Sequence, residues 1–180
     1  MNSYVDVDTL GDLRPISSCV LSLGSNLGDR LELLSSAVEA LGDTPDLIVV
    51  NVSPVYRTTP VGVGEEHGEF LNIVAIVETT MQPETLLDRV NAIEHAYGRV
   101  RWEPSAPRTL DIDLITMGKH RLETPRLTLP HPRAHLRGFV LVPWHDVEPD
   151  ALLGDHGRIA RLLDGLDVSG VSRTDLVLDK

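Results

Sequence analysis

The order in which hydrophobic periods alternate along this chain restricts its fold more than any other feature. The apolar run Cys19 to Leu23 (CVLSL) ends at Gly24-Ser25-Asn26-Leu27-Gly28, a strand-to-helix turn. Asp29 then stands where a helix needs a side-chain acceptor for its first N–H groups, and RLELLSSAVEAL follows at helical spacing until Gly42 stops it. LIVVNVS reads as a second strand running into a Pro- and Gly-rich segment from Pro54 to Gly68. FLNIVAIVE is a third strand. Pro83 opens a second helix with Leu86, Leu87, Val90 and Ile93 on one stripe, and Gly98 closes it. After the irregular RVRWEPSAPR comes a fourth strand, TLDIDLITM. Strand-helix-strand twice over predicts a ferredoxin-like (βαββαβ) α+β fold, an antiparallel sheet with helices on one face. The two long loops then follow the second strand and the second helix, and loops of that length on a rigid scaffold are candidate functional sites. Beyond this core, LTLPHPRAHLRGFVLVP from Leu127 to Pro143 predicts a short helix and strand, with an amphipathic stretch near Ile159 to Leu166. Residues 1–18 show no sustained period and read as a flexible leader, leaving 19–180 as a single domain.

Charge and cysteine content narrow the function classes. A formal charge of −11 argues against the broad basic surface that a nucleic-acid phosphate backbone requires, so any polyanion must be met by a local cluster of cations. The single cysteine, Cys19, sits in an apolar strand and cannot form an internal disulfide, which fits a reducing cytoplasm. No apolar run approaches membrane-spanning length and the N-terminus lacks a basic-then-apolar signal, so neither insertion nor export is expected. Nothing in the sequence marks an interface, and a monomer is the expectation.

In LDIDLI the period of two puts Asp111 and Asp113 on one strand face and Leu110, Ile112 and Leu114 on the other. The carboxylates then lie about 7 Å apart, which is costly without a cation to compensate. Oxygen ligands of this kind suit magnesium shared with phosphates, although an acidic solvated strand face is an equally ordinary use of Asp-x-Asp. The neighbours favour the metal. Arg108 lies three residues upstream, with Arg99 and Arg101 before it, so cations and carboxylates interleave as a magnesium-bound nucleotide triphosphate demands.

A second basic cluster, RLTLPHPRAHLRGF, holds Arg126, His131, Arg133, His135 and Arg137 in an otherwise acidic chain. Arg133 and His135 are expected to lie in the basic C-terminal turn of an ordinary helix, where cations gather without any ligand. His131 and Arg137 are the better candidates for ligand contact. A zinc site is disfavoured, because neither an HExxH pattern nor a cysteine cluster accompanies the histidines. The segment TTPVG at Thr58 to Gly62 followed by Phe70-Leu71-Asn72 offers a ring, an amide and loop backbone, a set suited to a flat heteroaromatic substrate. The only other phenylalanine, Phe139, lies two residues beyond Arg137.

LSLGSNLGDR, SPVYRTTPVG, FLN, GRVR, PRTLDIDLI and LTLPHPRAHLRGFVLVPW occur here in the order found in the 6-hydroxymethyl-7,8-dihydropterin pyrophosphokinases of folate biosynthesis. Over about Cys19 to Pro149 the chain resembles that family. The resemblance implies a ferredoxin-like enzyme that moves the β,γ-pyrophosphoryl group of ATP to the pterin hydroxymethyl oxygen and releases AMP. By matching position, Asp111 and Asp113 would bind two magnesium ions. Arg99, Arg101, Arg108, Arg126, His131 and Arg137 would meet the nucleotide phosphates, and Glu94 would line the nucleotide site. Catalysis would rest on Arg108, Asp111, Asp113 and Arg137. Phe70 and Phe139 would sandwich the pterin, with Asn72 and the backbone of Thr58, Thr59 and Val61 at its edge. Trp102 would fold over it if Arg101-Trp102 corresponds to the family's arginine-tryptophan pair. The family usually shows arginine-tryptophan-glycine-proline-arginine before the aspartate strand, whereas this chain reads Arg101-Trp102-Glu103-Pro104-Ser105-Ala106-Pro107-Arg108. Two non-catalytic readings compete: a ferredoxin-like module that binds a nucleotide, and a degenerate pyrophosphokinase. A module that only binds has no need of two metal carboxylates.

Overall fold

The computed structural model describes residues 14–59, 68–97 and 110–179. Within them, β1 (Ser17–Ser25), α1 (Arg30–Gly42), β2 (Leu47–Val52), β3 (Tyr56–Thr58), β4 (Phe70–Thr79), α2 (Pro83–Ala96) and β5 (Asp111–Met117) form the expected core. Two-residue strands β6 (Leu122–Glu123) and β7 (Thr128–Leu129) follow, then α3 (Gly138–Val147), α4 (Ile159–Asp164) and β8 (Val171–Arg173). The helix starts obey local chemistry. The side chain of Asp29 accepts from the Glu32 N–H at 3.1 Å, and Pro83 occupies the first turn of α2, where its missing N–H costs nothing.

The main sheet runs β5-β1-β4-β3-β8, with β2 also paired to β4, and all its pairings are antiparallel. The second strand of the ferredoxin order is therefore split. β2 pairs with the far end of β4 and β3 with its near end, while the Ser53 N–H bonds the Val74 carbonyl at the break. β3 falls inside the Pro54–Gly68 segment, which read as loop because three residues around an arginine show no period. β1 begins at Ser17, two residues before the apolar run, since Ser17 and Ser18 pair with Thr79 and Glu78 whatever their polarity.

Alternation along the strands builds two separate cores. Leu21, Leu23, Ile73, Ala75, Ile112 and Leu114 face α1 and α2, meeting Leu34, Leu41, Leu86 and Val90 in one cluster. Each leucine, isoleucine or valine among them contributes about 1.5–3 kcal/mol on full burial. On the opposite face Val20, Val74, Ile76 and Ile115 pack against Val140, Leu141 and Trp144 of α3 and Ile159 of α4. The two ferredoxin helices thus share one face as expected, and the C-terminal helices cover part of the other. The segment after Leu127 places its strand, β7, before its helix. FVLV lies within α3, where Val140 and Leu141 sit one turn before Trp144 on the buried stripe.

Candidate active site

The face that carries the second core changes character along its strands. Ser22 pairs with Asp113 and Gly24 with Asp111 on one side, while Gly24 pairs with Asn72 and Asn72 with Tyr56 on the other. Directly opposed residues share a face, so Asp111, Gly24, Asn72 and Tyr56 form one rung across β5, β1, β4 and β3. Phe70 and Thr58 oppose each other on the next rung of the same face. Beyond the apolar residues under α3, the sheet surface becomes a polar floor holding both aspartates with Asn72, Thr58 and Phe70.

α3 brings its cations to this floor from above. Arg137 lies at the N-cap of the helix, and its Nη1 donates to Asp113 Oδ2 at 2.8 Å with both side chains largely shielded. The same guanidinium stands 5.4 Å from the centre of the Phe139 ring, within cation–π range. His131 is held against the sheet edge by its N–H, which bonds the Ile115 carbonyl at 2.8 Å. Its Nδ1 accepts from the Arg133 N–H at 3.2 Å, so the neutral ring carries its proton on Nε2. Burial holds the His131 pKa below its ordinary value; Asp113 opposes this, and Arg137 and Arg133 reinforce it.

At the edge of β5 a cleft of about 300 Å³ is lined by Asn91, Glu94, Asp111, Asp113, Arg126 and His131. Glu94 is buried at 1% exposure, and its Oε1 accepts the outward-facing Ile112 N–H at 2.8 Å, joining α2 to the aspartate strand. Arg126 forms an exposed ion pair with Asp88 at the rim. On the other side of the rung, Asn72 and Thr58 are each 5% exposed, and Asn72 Nδ2 donates to Thr58 Oγ1 at 2.6 Å. Thr59 is exposed and tied by its N–H to the Gly170 carbonyl.

The structure thus brings Asp111, Asp113, Arg137, His131, Glu94 and Arg126 together, and joins Thr58 to Asn72 beside Phe70. Arg99, Arg101, Trp102, Arg108 and Val61 lie outside the described residues. Arg133 and His135 do not occupy the last turn of a helix. They flank and enter a single 3-10 turn, Ala134–Leu136, because α3 starts only at Gly138. The His135 ring stacks on His156 at 3.9 Å. Sequence reasoning missed Gly24, which it assigned to a turn. Within β1 an ideal Cβ at this position would stand 2.7 Å from Asn72 Oδ1. A glycine inside a strand pattern was the available signal, since it marks close approach of a neighbour.

Among the described residues no three His, Cys, Asp or Glu side chains converge as a metal cage. Two hard carboxylates lining this cleft match a cation that completes its shell with phosphate and water oxygens, and the cationic side chains beside them match phosphate itself. Fold and cleft together define the class of protein as one built to handle phosphoryl groups on a ferredoxin-like sheet. The family model described as 7,8-dihydro-6-hydroxymethylpterin-pyrophosphokinase (HPPK) matches residues 20–149, and the chain belongs to that family.

Three relatives bear the name 2-amino-4-hydroxy-6-hydroxymethyldihydropteridine pyrophosphokinase. One from Mycobacterium leprae is 46% identical over 176 residues, covering 88% of this chain and 90% of the relative. One from Mycobacterium tuberculosis is 45% identical over 161 residues (82% and 83%), and one from Pseudomonas aeruginosa 38% over 158 residues (88% and 97%). Among solved structures, wild-type Plasmodium falciparum HPPK-DHPS with pteroate superposes with a TM-score of 0.66 at 15% identity. That match covers 86% of this chain but only 43% of the Plasmodium chain, and it speaks for the fold alone.

Proposed function

We propose that this protein transfers the β,γ-pyrophosphoryl group of ATP to the hydroxymethyl oxygen of 6-hydroxymethyl-7,8-dihydropterin, yielding the pterin diphosphate and AMP for folate biosynthesis. The observation that carries this reading is the rung Asp111–Gly24–Asn72. It sets a phosphate-side carboxylate two strands, about 10 Å, from an amide suited to read a heterocycle edge. That is the span of a two-ring heterocycle with a hydroxymethyl arm reaching toward the aspartates.

Asp111 and Asp113 would hold magnesium, two ions in this reading, with ATP. The metal supplies charge neutralisation across the triphosphate oxygens and lowers the pKa of an oxygen bound to it. Arg137, whose guanidinium bonds Asp113, would meet a phosphate oxygen through its remaining N–H groups. Neutral His131 donates its Nε2–H to another, and Arg126 closes the rim, joined by Arg99, Arg101 and Arg108. Glu94 keeps β5 anchored to α2 while it lines the nucleotide cleft. Asn72 Nδ2 is engaged by Thr58, which orients the remaining amide groups toward the pterin edge, with Phe70 and Phe139 on its faces and Thr59, Val61 and Trp102 around it. The hydroxymethyl oxygen then forms a bond to the β-phosphorus as the bond from that phosphorus to the AMP oxygen breaks. Its proton passes to Asp113, the carboxylate nearest the transfer. Positioning and electrostatics account for most of the rate.

A buried free thiol at Cys19 supports a reducing, cytoplasmic setting in which no disulfide is needed, and the protein is taken as a monomer because nothing in its sequence marks an interface. No helix among the described residues is long and apolar enough to cross a membrane. The charge of −11 supports small-molecule partners rather than nucleic acid. A coupled assay for AMP with hydroxymethyl-dihydropterin, ATP and magnesium tests the reading. Folded protein that releases no pterin-dependent AMP defeats it in favour of a module that only binds.

A further inference from the structure

The C-terminal segment after α4 lies beyond residues 20–149, where the family model ends, yet it is built into the sheet beside the substrate floor. β3, which carries Thr58, is only three residues long, and the break at Ser53–Val55 detaches it from β2. A strand so short, bonded on one side only, is marginal. β8 supplies its second neighbour, with Tyr56, Arg57 and Thr58 opposite Arg173, Ser172 and Val171. The pairing is fastened at both ends. The Thr59 N–H bonds the Gly170 carbonyl at 3.0 Å, and the N–H and hydroxyl of Thr174 both bond the Val55 carbonyl at 2.9 Å.

Side chains reinforce the same junction. Asp146 of α3 accepts from the Tyr56 hydroxyl at 2.8 Å and from Arg173 Nη1 at 3.3 Å, so β3, β8 and α3 meet at one carboxylate. Val168 packs so closely on Gly138, at the start of α3, that a Cβ there would stand 3.1 Å from it. Farther along, the tail forms one wall of a groove of about 680 Å³ beside α1, and the Asp179 N–H bonds Ser35 Oγ. The tail is thus held by packing of Leu178 on the main core as well as by these ties.

We propose that β8 is a positioning element for the pterin. It fixes Thr58, Thr58 fixes the Asn72 amide through the 2.6 Å bond, and the amide orientation sets affinity for the substrate edge. This rests on the assignment of Asn72 and Thr58 to the pterin made above. The residues that act are Gly170 through its carbonyl and Ser172 through its backbone. Alternation along the ladder makes Ser172 and Arg57 the hydrogen-bonded pair between the Thr59–Gly170 and Val55–Thr174 bonds.

The test is Ser172→Pro, which removes one N–H from the middle of this pairing, beside Ser172→Ala, which keeps it. Two things are measured in the full chain: KM for each substrate with kcat, and the Asn72 side-chain amide resonances without substrate. In Ser172→Pro the pterin KM rises about tenfold, the shift expected from losing one well-placed hydrogen bond, while ATP KM and kcat stay within about twofold. The Asn72 resonances move, and Ser172→Ala behaves as wild type. If proline prevents folding, Arg173→Ala with Thr174→Ala removes the side-chain ties alone and is read on the same two measurements, with a smaller rise of about threefold expected. Unmoved Asn72 resonances overturn the proposal by themselves. Moved resonances with an unchanged pterin KM overturn the pterin assignment and the proposal with it. Equal losses in both KM values and kcat reduce β8 to a structural element, which also overturns it.

Discussion

Replacing Gly24 by alanine tests the rung on which the functional reading depends. The new methyl would stand 2.7 Å from Asn72 Oδ1, so the amide must retreat by roughly 0.3 to 0.7 Å to reach the 3.0–3.4 Å at which real Cβ contacts begin. An exposed amide would simply rotate away. Asn72 is 5% exposed on the central strand β4 and is held by Thr58 at 2.6 Å, so the retreat stretches a buried hydrogen bond. Overpacking of this kind costs about 1–3 kcal/mol, partly offset by the roughly 0.5–1 kcal/mol gained when alanine replaces a glycine in a strand. A net loss of about 1–2 kcal/mol lowers the melting temperature by several degrees at about 2–4 °C per kcal/mol. The functional effect separates from the structural one. The pterin KM rises about tenfold for each 1.4 kcal/mol of lost edge recognition, while the ATP KM, set one strand away at β5, stays within about twofold. Asn72→Ala in the Gly24→Ala background removes the clash, so the two stability losses are non-additive by about 0.5–3 kcal/mol in a double-mutant cycle. Steady-state kinetics and thermal melts supply both readings. A folded Gly24→Ala protein with wild-type pterin KM refutes the close approach as a determinant of binding.

Asp113→Asn keeps the shape of the side chain and removes the charge that holds Arg137 at 2.8 Å and, in the proposed mechanism, the metal. Its kcat falls by at least about a hundredfold, corresponding to several kcal/mol of lost electrostatic stabilisation, and near-normal turnover would remove Asp113 from both roles. His131 carries a pH signature. Its folded pKa lies below 6.5, so between that value and the unfolded pKa near 6.5 the unfolded chain binds a proton that the native protein does not. The stability it contributes is complete above pH 6.5 and declines as pH falls toward the folded value. His131→Gln therefore shows a shallower loss of melting temperature than wild type below pH 6.5, and identical slopes would contradict the burial argument.

Much of the fold was legible because it rests on local periods. Helix starts at Asp29 and Pro83, the apolar runs of β1 and β4 and the alternation in β5 identify themselves from short windows, and the ferredoxin order follows from their succession. Where periodicity lapsed, legibility lapsed as well. β3 and β8 are three residues each and exist because β3 pairs with β4 and with β8, the latter an interaction across more than a hundred positions of chain. FVLV could not be assigned to a helix from its residues, since an apolar run carries no period; packing of Val140, Leu141 and Trp144 on the sheet decided it.

The site divides along the same line. Residue type and spacing alone placed Asp111 and Asp113 on one face, because a strand's period of two admits no other arrangement. They also singled out Arg137, His131 and Asn72 as chemically apt. Only the tertiary structure showed that Asn72 lies across Gly24 from Asp111, that Arg137 reaches Asp113 from a helix starting twenty-five residues later, and that the C-terminal strand holds Thr58. Register between strands and the docking of a distant helix depend on whole-molecule packing. No window of sequence carries that information, because the partners that set it meet only once the sheet has formed.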